Sequence, residues 1–200
     1  MAYTKDSIIE LHQDYSETVA NWEYFIRSYN GGFDYTSGNY LNRYNLELDS
    51  EFNQRLANTP CDNHCKNIIQ IYSSFLFRVR PSRDFADMQD EPSLDSFLKD
   101  ADLDGNNLNA VIRQAQNYAS IYGHCFMILD KPNITTSTKA DELDQDIRPY
   151  LSILTPENVF DWNYTRQANG KYELDYLKVR EEIDRDGGQY FRLWYPDRID

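Results

Sequence analysis

Positive charge is scarce in this chain: 20 Lys and Arg stand against 33 Asp and Glu in 200 residues, a formal net charge of −13. A domain that grips phosphate backbones by counterion release needs the opposite balance, so that class is excluded as the main activity. Nucleic acid nearby remains compatible, because an acidic wall lets a polyanion pass without adhering, and a large net charge also keeps an assembly soluble. Cysteine is scarce too. Three residues, an odd number with no extracellular framework of spacings, fit free thiols in a reducing compartment. No apolar run approaches the ~20 residues of a membrane-spanning helix, and the opening MAYTKDSIIELHQDYSE has neither a basic region nor an apolar stretch of the export type. Neither export nor a membrane partner is expected, so the glycosylation patterns Asn133-Ile-Thr135 and Asn163-Tyr-Thr165 read as chance.

The short signatures of nucleotide binding and hydrolysis, G-x-x-x-x-G-K-[ST], G-x-G-x-x-G, G-x-S-x-G and H-E-x-x-H, are all missing. An enzyme reading would rest on carboxylates alone, and among 33 acidic residues pairs arise by chance. What is abundant is aromatic surface, 14% of the chain with 16 Tyr, which suits layer edges and subunit contacts. The length fits one or at most two domains with a core that needs no disulfide or metal.

The stretch around which the rest is organised is Asn107 to Pro132. Leu108, Val111, Ile112, Ala115, Tyr118, Ala119 and Tyr122 recur at helical spacing, Gly123 suits a left-handed helix stop, and Cys125 to Leu129 reads as a buried strand. Before it, spacing predicts one long helix from an N-cap at Thr4 through Ile8, Leu11, Tyr15, Val19, Trp22, Ile26 and Tyr29, ending at Asn30-Gly31-Gly32. Phe33 to Tyr44 reads as an ordered Tyr-rich loop, and Leu46 to Asn58 as a short helix. A third helix is expected to open with Pro60 and to turn Cys65, Ile68, Ile69, Tyr72, Phe75 and Leu76 inward, until Pro81 stops it. Pro92 to Lys99 forms a brief helix with Ser93 as cap. Lys131 to Asp146 is polar and without periodicity, an exposed excursion. Strands are expected at Pro149 to Leu154, Val159 to Thr165, Tyr172 to Ile183 and Gln189 to Tyr195; Asn169-Gly170 and Asp186-Gly187-Gly188 separate the last three as hairpin turns. The fold class is α+β: amphipathic helices packed on a mostly antiparallel meander. Residues 1–130 form the helical part, ending in the buried strand, and 131–200 the meander of the same body.

Several segments, in order, carry a resemblance. Tyr29-Asn-Gly-Gly32, Tyr40-Leu41, Glu51-Phe52 with Arg55, and the helix from Asn67 closing on Phe77-Arg78-Val79-Arg80-Pro81 come first. Leu103-Asp-Gly105, Gly123-His-Cys-Phe-Met-Ile-Leu-Asp130, Arg148-Pro-Tyr150, and Pro156-Glu-Asn-Val159 before Trp162 follow. Together they resemble the opening part of tailed-bacteriophage portal proteins, the ring subunits at the capsid vertex through which the genome is packaged and ejected. The resemblance implies a wing-like body from the N-terminal portion of a longer chain. It also implies a homo-oligomeric ring of about a dozen copies closed by head-to-tail contacts. Terminase, capsid and tail adaptor proteins would be its partners, double-stranded DNA would pass without specific binding, and the location would be the virion, after assembly in the host cytoplasm. No cofactor and no catalysis are implied, since the packaging motor is a separate polypeptide. Candidate subunit contacts are Trp22, Tyr29, Phe33, Tyr35 and Tyr40, although packing within the core accounts for the same residues.

Three chemical alternatives compete. Asp100-Ala-Asp102-Leu-Asp104-Gly105 matches the first half of a calcium loop, but Asn107 and Val111 stand where an apolar residue and a bidentate Glu belong. A solvated turn with Asn106 or Asn107 capping the next helix explains it better, which leaves Asp100, Asp102 and Asp104 as weak metal candidates and as the basis of an alternative metal-dependent nuclease or phosphotransferase. Cys61, His64 and Cys65 fall on one expected helix rather than on a turn, and Cys65 and Cys125 sit on apolar faces, so with His124 they do not read as a zinc site and the cysteines are expected as core thiols. An adaptor that binds another head or tail protein as a monomer is the remaining alternative.

Overall fold

Helices fill the first two thirds of the chain and antiparallel strands dominate the last third, so the protein is α+β. The computed structural model describes residues 10–60, 62–88, 91–132, 134, 138–180 and 190–195. Its helices are α1 Gln13–Asn30, α2 Gly32–Ser37, α3 Asp49–Asn58, α4 His64–Leu76, α5 Pro92–Lys99, α6 Leu108–Tyr122 and α7 Lys139–Asp144. Its strands are β1 Phe126–Asp130, β2 Tyr150–Leu154, β3 Val159–Arg166, β4 Tyr172–Arg180 and β5 Phe191–Trp194. Two compact units result, Met1–Phe25 with Thr155–Asp200, and Ile26–Leu154, and α1 is divided between them.

In the second unit the spacing of α6 is realised. The Asn107 side chain accepts the Ala110 amide at 3.0 Å, and Gly123 closes the helix at φ 88°, a left-handed conformation that a side chain would resist. Of its buried residues, Leu108 and Val111 join Ala101 in a core on which Phe97, Leu98, Ile112, Leu151 and Ile153 pack. Burying a residue such as Val111, 1% exposed, contributes roughly 1.5–3 kcal/mol. β1 does not join a large sheet. It pairs antiparallel with β2 alone, Phe126 opposite Leu154 and Asp130 opposite Tyr150, as a two-stranded sheet. One face of β1 is consequently open, with Met127 and Leu129 exposed, where a buried strand was expected.

In the first unit β3, β4 and β5 form a three-stranded antiparallel meander in that order. Gln167 and Lys171 close the Asn169-Gly170 turn through the Gln167 amide and the Lys171 carbonyl at 2.8 Å. The Asp186-Gly187-Gly188 turn lies outside the described residues. Tyr15 and Trp22 of α1 bury their rings with Phe160, Tyr15 meeting Trp22 at 5.7 Å and Phe160 at 5.0 Å. Leu177, Lys178 and Val179 of the central strand are all buried; because successive side chains point to opposite faces, both faces of β4 are covered there.

Several sequence expectations are corrected. Residues 10–12 are not helical: the His12 amide donates to the Phe160 carbonyl at 2.9 Å and its ring stacks on Trp162 at 4.2 Å, so the sheet takes the backbone that a continuous helix would need. Thr4 and Ile8 lie outside the described residues. The loop expected after Gly32 contains α2. α3 begins at Asp49 and α4 at His64 rather than at Pro60, because the Asn63 side chain accepts the Lys66 amide at 2.9 Å while donating to the Tyr29 carbonyl. Gly31, at φ 68°, allows that approach; a Cβ there would lie 2.7 Å from the Asn63 amide nitrogen. The cap of α5 is Glu91, with Pro92 in the first turn, not Ser93. The polar excursion contains α7, nucleated by a capping box between Thr138 and Asp141. The segment from Pro149 pairs with β1 rather than opening the meander.

Candidate functional site

The Asp-rich loop is a structural joint. Asp102 Oδ1 accepts the amides of Asp104 and Asn106 at 3.0 and 3.1 Å, its Oδ2 accepts the Asn106 side chain at 2.7 Å, and Asp100 Oδ1 accepts the Gly105 amide at 2.9 Å. Burial raises the Asp102 carboxyl, but those hydrogen bonds outweigh it and leave the group below its ordinary value. The buried Arg148 guanidinium grips the same loop, donating from Nη2 to Asp100 Oδ2 and from Nε to Asp146 Oδ1, both at 2.8 Å, and from Nη1 to the Asp100 carbonyl. Asp100, Asp102 and Asp104 do not converge on a point, and among the described residues no group of three or more His, Cys, Asp or Glu could hold a metal ion. In the sequence Arg148 stands out only within Arg148-Pro-Tyr150, and nothing there marks it as a clamp.

The thiols and histidines do not assemble either. Cys65 is exposed, against the expectation of a core position, while Cys125 is half-buried, donates to the Ala115 carbonyl at 3.3 Å, and has its thiol pushed up by burial. Cys61 lies outside the described residues. His124 meets Phe126 edge-on at 5.4 Å, and burial holds its imidazole below the ordinary value.

The interface candidates separate by exposure. Trp22 is 5% exposed and spent on the core. Tyr29 is half-buried under the Lys66 ammonium at 5.7 Å, and the half-buried rings of Tyr35 and Tyr40 meet each other at 5.2 Å. Phe33, on α2, is 86% exposed.

A face of α4 is an open apolar surface, against the sequence expectation that most of its apolar residues turn inward. Of the residues expected inward, Ile68, Tyr72, Phe75 and Leu76 are more than half exposed, as is Ile71, while Ile69 is half-buried and the residue turned fully inward is Ser73, at 1%. The physical reason is Arg113 of α6, which donates to the hydroxyls of Ser73 and Ser74 at 3.2 and 3.3 Å, so the small polar side of α4 takes the inner position. Ile71, Ser74, Phe75 and Arg78 line a groove of about 680 Å³. Further along, Arg78, Arg80 and Arg113 gather beside Pro81, with Arg83 next to them. Among the described residues Arg78, Arg80 and Arg83 form no ion pair, an unusual state in a chain of net charge −13.

A second exposed feature is the turn before α3. Arg55 binds Glu47 bidentately, Nε to Oε1 and Nη2 to Oε2, both at 2.8 Å, and lies 4.6 Å from the Tyr44 ring centroid. Arg43 donates to the Glu47 carbonyl at 2.6 Å and pairs with Asp49 at 2.6 Å. This cage fixes a turn whose tip, Leu46, is 96% exposed. The Arg55 hydrogen bonds, opposed by desolvation and aided by the Tyr44 amide and the nearby guanidinium charges, hold the Glu47 carboxyl at about 2, against its ordinary 4.5. A group depressed in this way contributes stability that is complete above 4.5 and lost as pH falls through about 2. Carbon-13 NMR titration of the Glu47 carboxyl should therefore give a midpoint near 2; a midpoint near 4.5 would mean that the cage is not formed.

No family model matches the chain, and no curated protein matches it. No helix among the described residues is long and apolar enough to cross a membrane.

Proposed function

We propose that this chain is a structural subunit of a tailed-phage portal ring, placed at the capsid vertex of the virion. Its work there is to form the conduit for genome packaging and ejection and the platform for terminase and tail proteins. The ordered run of segments from Tyr29-Asn-Gly-Gly32 to Pro156-Glu-Asn-Val159 supports the family. The exposed face of α4 carries the assembly reading, because five large apolar side chains more than half exposed on one helix are surface for another polypeptide to cover. The acidic balance discourages DNA from adhering to the conduit. No catalytic role is given to Asp100, Asp102 or Asp104, whose loop is tied to Arg148 and to its own amides.

Negative-stain electron microscopy of the purified chain tests this reading. Closed rings of uniform diameter are the expected result, and isolated particles at every concentration would contradict it. A head–tail adaptor would present the same apolar helix, but as a monomer that associates only with a different protein.

A further inference from the structure

We propose that the α4 groove is the socket for the Leu46 turn of a second copy of this chain. This rests on the ring reading and gives it a specific contact. The socket has two parts: Ile71 and Phe75 in the groove, continued by exposed Ile68 and Tyr72 on the same helix, and a guanidinium end where Arg78 lines the groove and Arg80 stands beside it. A phosphodiester backbone would satisfy the arginines and leave the stripe in water, whereas an acidic, apolar protein segment covers both. The chain carries such a segment. Leu46 is flanked by Tyr44 and Leu48, 69% and 63% exposed, and followed by Asp49 and Glu51, with Asp49 86% exposed at its side chain. Glu51 accepts the Leu48 amide at 3.1 Å and has no cation partner among the described residues.

The turn is also rigid before it binds. The bidentate Arg55–Glu47 pair, the Arg43–Asp49 pair and the Tyr44 amide donating to Glu47 at 3.2 Å hold Leu46 outward, so little conformational freedom remains to be lost on docking. Socket and knob are different patches of one molecule. The contact is therefore heterologous, the type that propagates from copy to copy and closes a ring when the rotation permits.

The test combines cross-linking with sedimentation on the full chain. With Cys61, Cys65 and Cys125 replaced by Ser, one preparation carries Ser50→Cys, exposed beside the knob, and another Gln70→Cys, on the groove wall, and the two are mixed with a short bismaleimide. A cross-linked dimer is expected only in the mixture. Phe75→Asp should weaken self-association about a hundredfold, the scale of a central hot spot, while Tyr164→Asp, on the exposed part of β3, should leave it unchanged. Circular dichroism checks that each variant is folded. Oligomers that persist in Phe75→Asp, or that form without a 50-to-70 cross-link, would overturn the socket and leave the ring reading standing. A wild-type chain that stays monomeric would overturn both. Duplex DNA binding near physiological salt that is lost in Arg80→Glu, with self-association unaltered, would assign the arginines to phosphate and overturn the socket.

Discussion

Arg148→Ala is expected to destabilise the unit that holds it by about 3 kcal/mol, toward the lower end of the cost of breaking a buried ion pair. The side chain is 4% exposed and makes three hydrogen bonds, two to the carboxylates of Asp100 and Asp146 and one to the Asp100 carbonyl. Burial disfavours its charge, but the hydrogen bonds to Asp146 and Asp100 overcompensate, so the guanidinium is held above its ordinary value. Truncation strands the Asp100 carbonyl and opens a gap beside Ala101, the best-buried residue of that core. Asp100 and Asp146 retain 30% and 61% exposure and recover part of their hydration, which keeps the loss from being larger. For a chain of this size the melting temperature should fall by roughly 6–12 °C. Arg148→Lys should recover less than half of the loss, because an ammonium cannot reproduce a fork that reaches three acceptors. Thermal and urea melts measure both; a loss below about 1 kcal/mol would remove the clamp from this account.

Lys178→Ala should cost a similar amount, about 3 kcal/mol, in the other unit, the scale of truncating a large buried side chain. Lys178 is 1% exposed on the central strand of the meander, its ammonium donating to the Glu10 carbonyl and standing 3.6 Å from Asp161 Oδ2. Asp161 has other support from the Tyr176 hydroxyl at 2.9 Å and the Trp162 amide at 3.0 Å, so the carboxylate is not stranded when the lysine is removed. Most of the loss should therefore come from the cavity and from the Glu10 carbonyl. Lys178→Met, which keeps the stem volume, should cost only about 1 kcal/mol. Equal losses for the two variants, read by chemical denaturation, would mean that charge rather than volume holds this position.

Local chemistry was legible in the sequence at some single positions, though not at Pro60 or Ser93. Asn107 and Gly123 bracket α6 as expected, and Asn169-Gly170 turns β3 into β4. Periodicity identified α4 but misdirected it: spacing shows that Ile68, Tyr72 and Phe75 share a face, not whether the chain covers that face. The deciding contact, Arg113 on Ser73, joins residues forty positions apart and leaves no local pattern. The same holds for the pairing of β1 with β2, for Arg148 on Asp100, and for Lys178 on the Glu10 carbonyl, all between residues far apart in the chain. α2 was missed because Gly-rich, Tyr-rich sequence favours loops, and α7 because its six residues are too few to show a period. The Glu47–Arg55 pair reaches from a turn to a helix across eight positions, beyond the three- and four-residue steps at which helix neighbours meet, so nothing marked Leu46 as a presented knob.

Sedimentation velocity of the unmodified chain across a wide concentration range tests the central claim most directly. The expected result is a single closed oligomer that exchanges with monomer only on dilution, and that is lost when Phe75 becomes Asp. A chain that sediments as a monomer throughout, with the α4 face open to solvent, would contradict it.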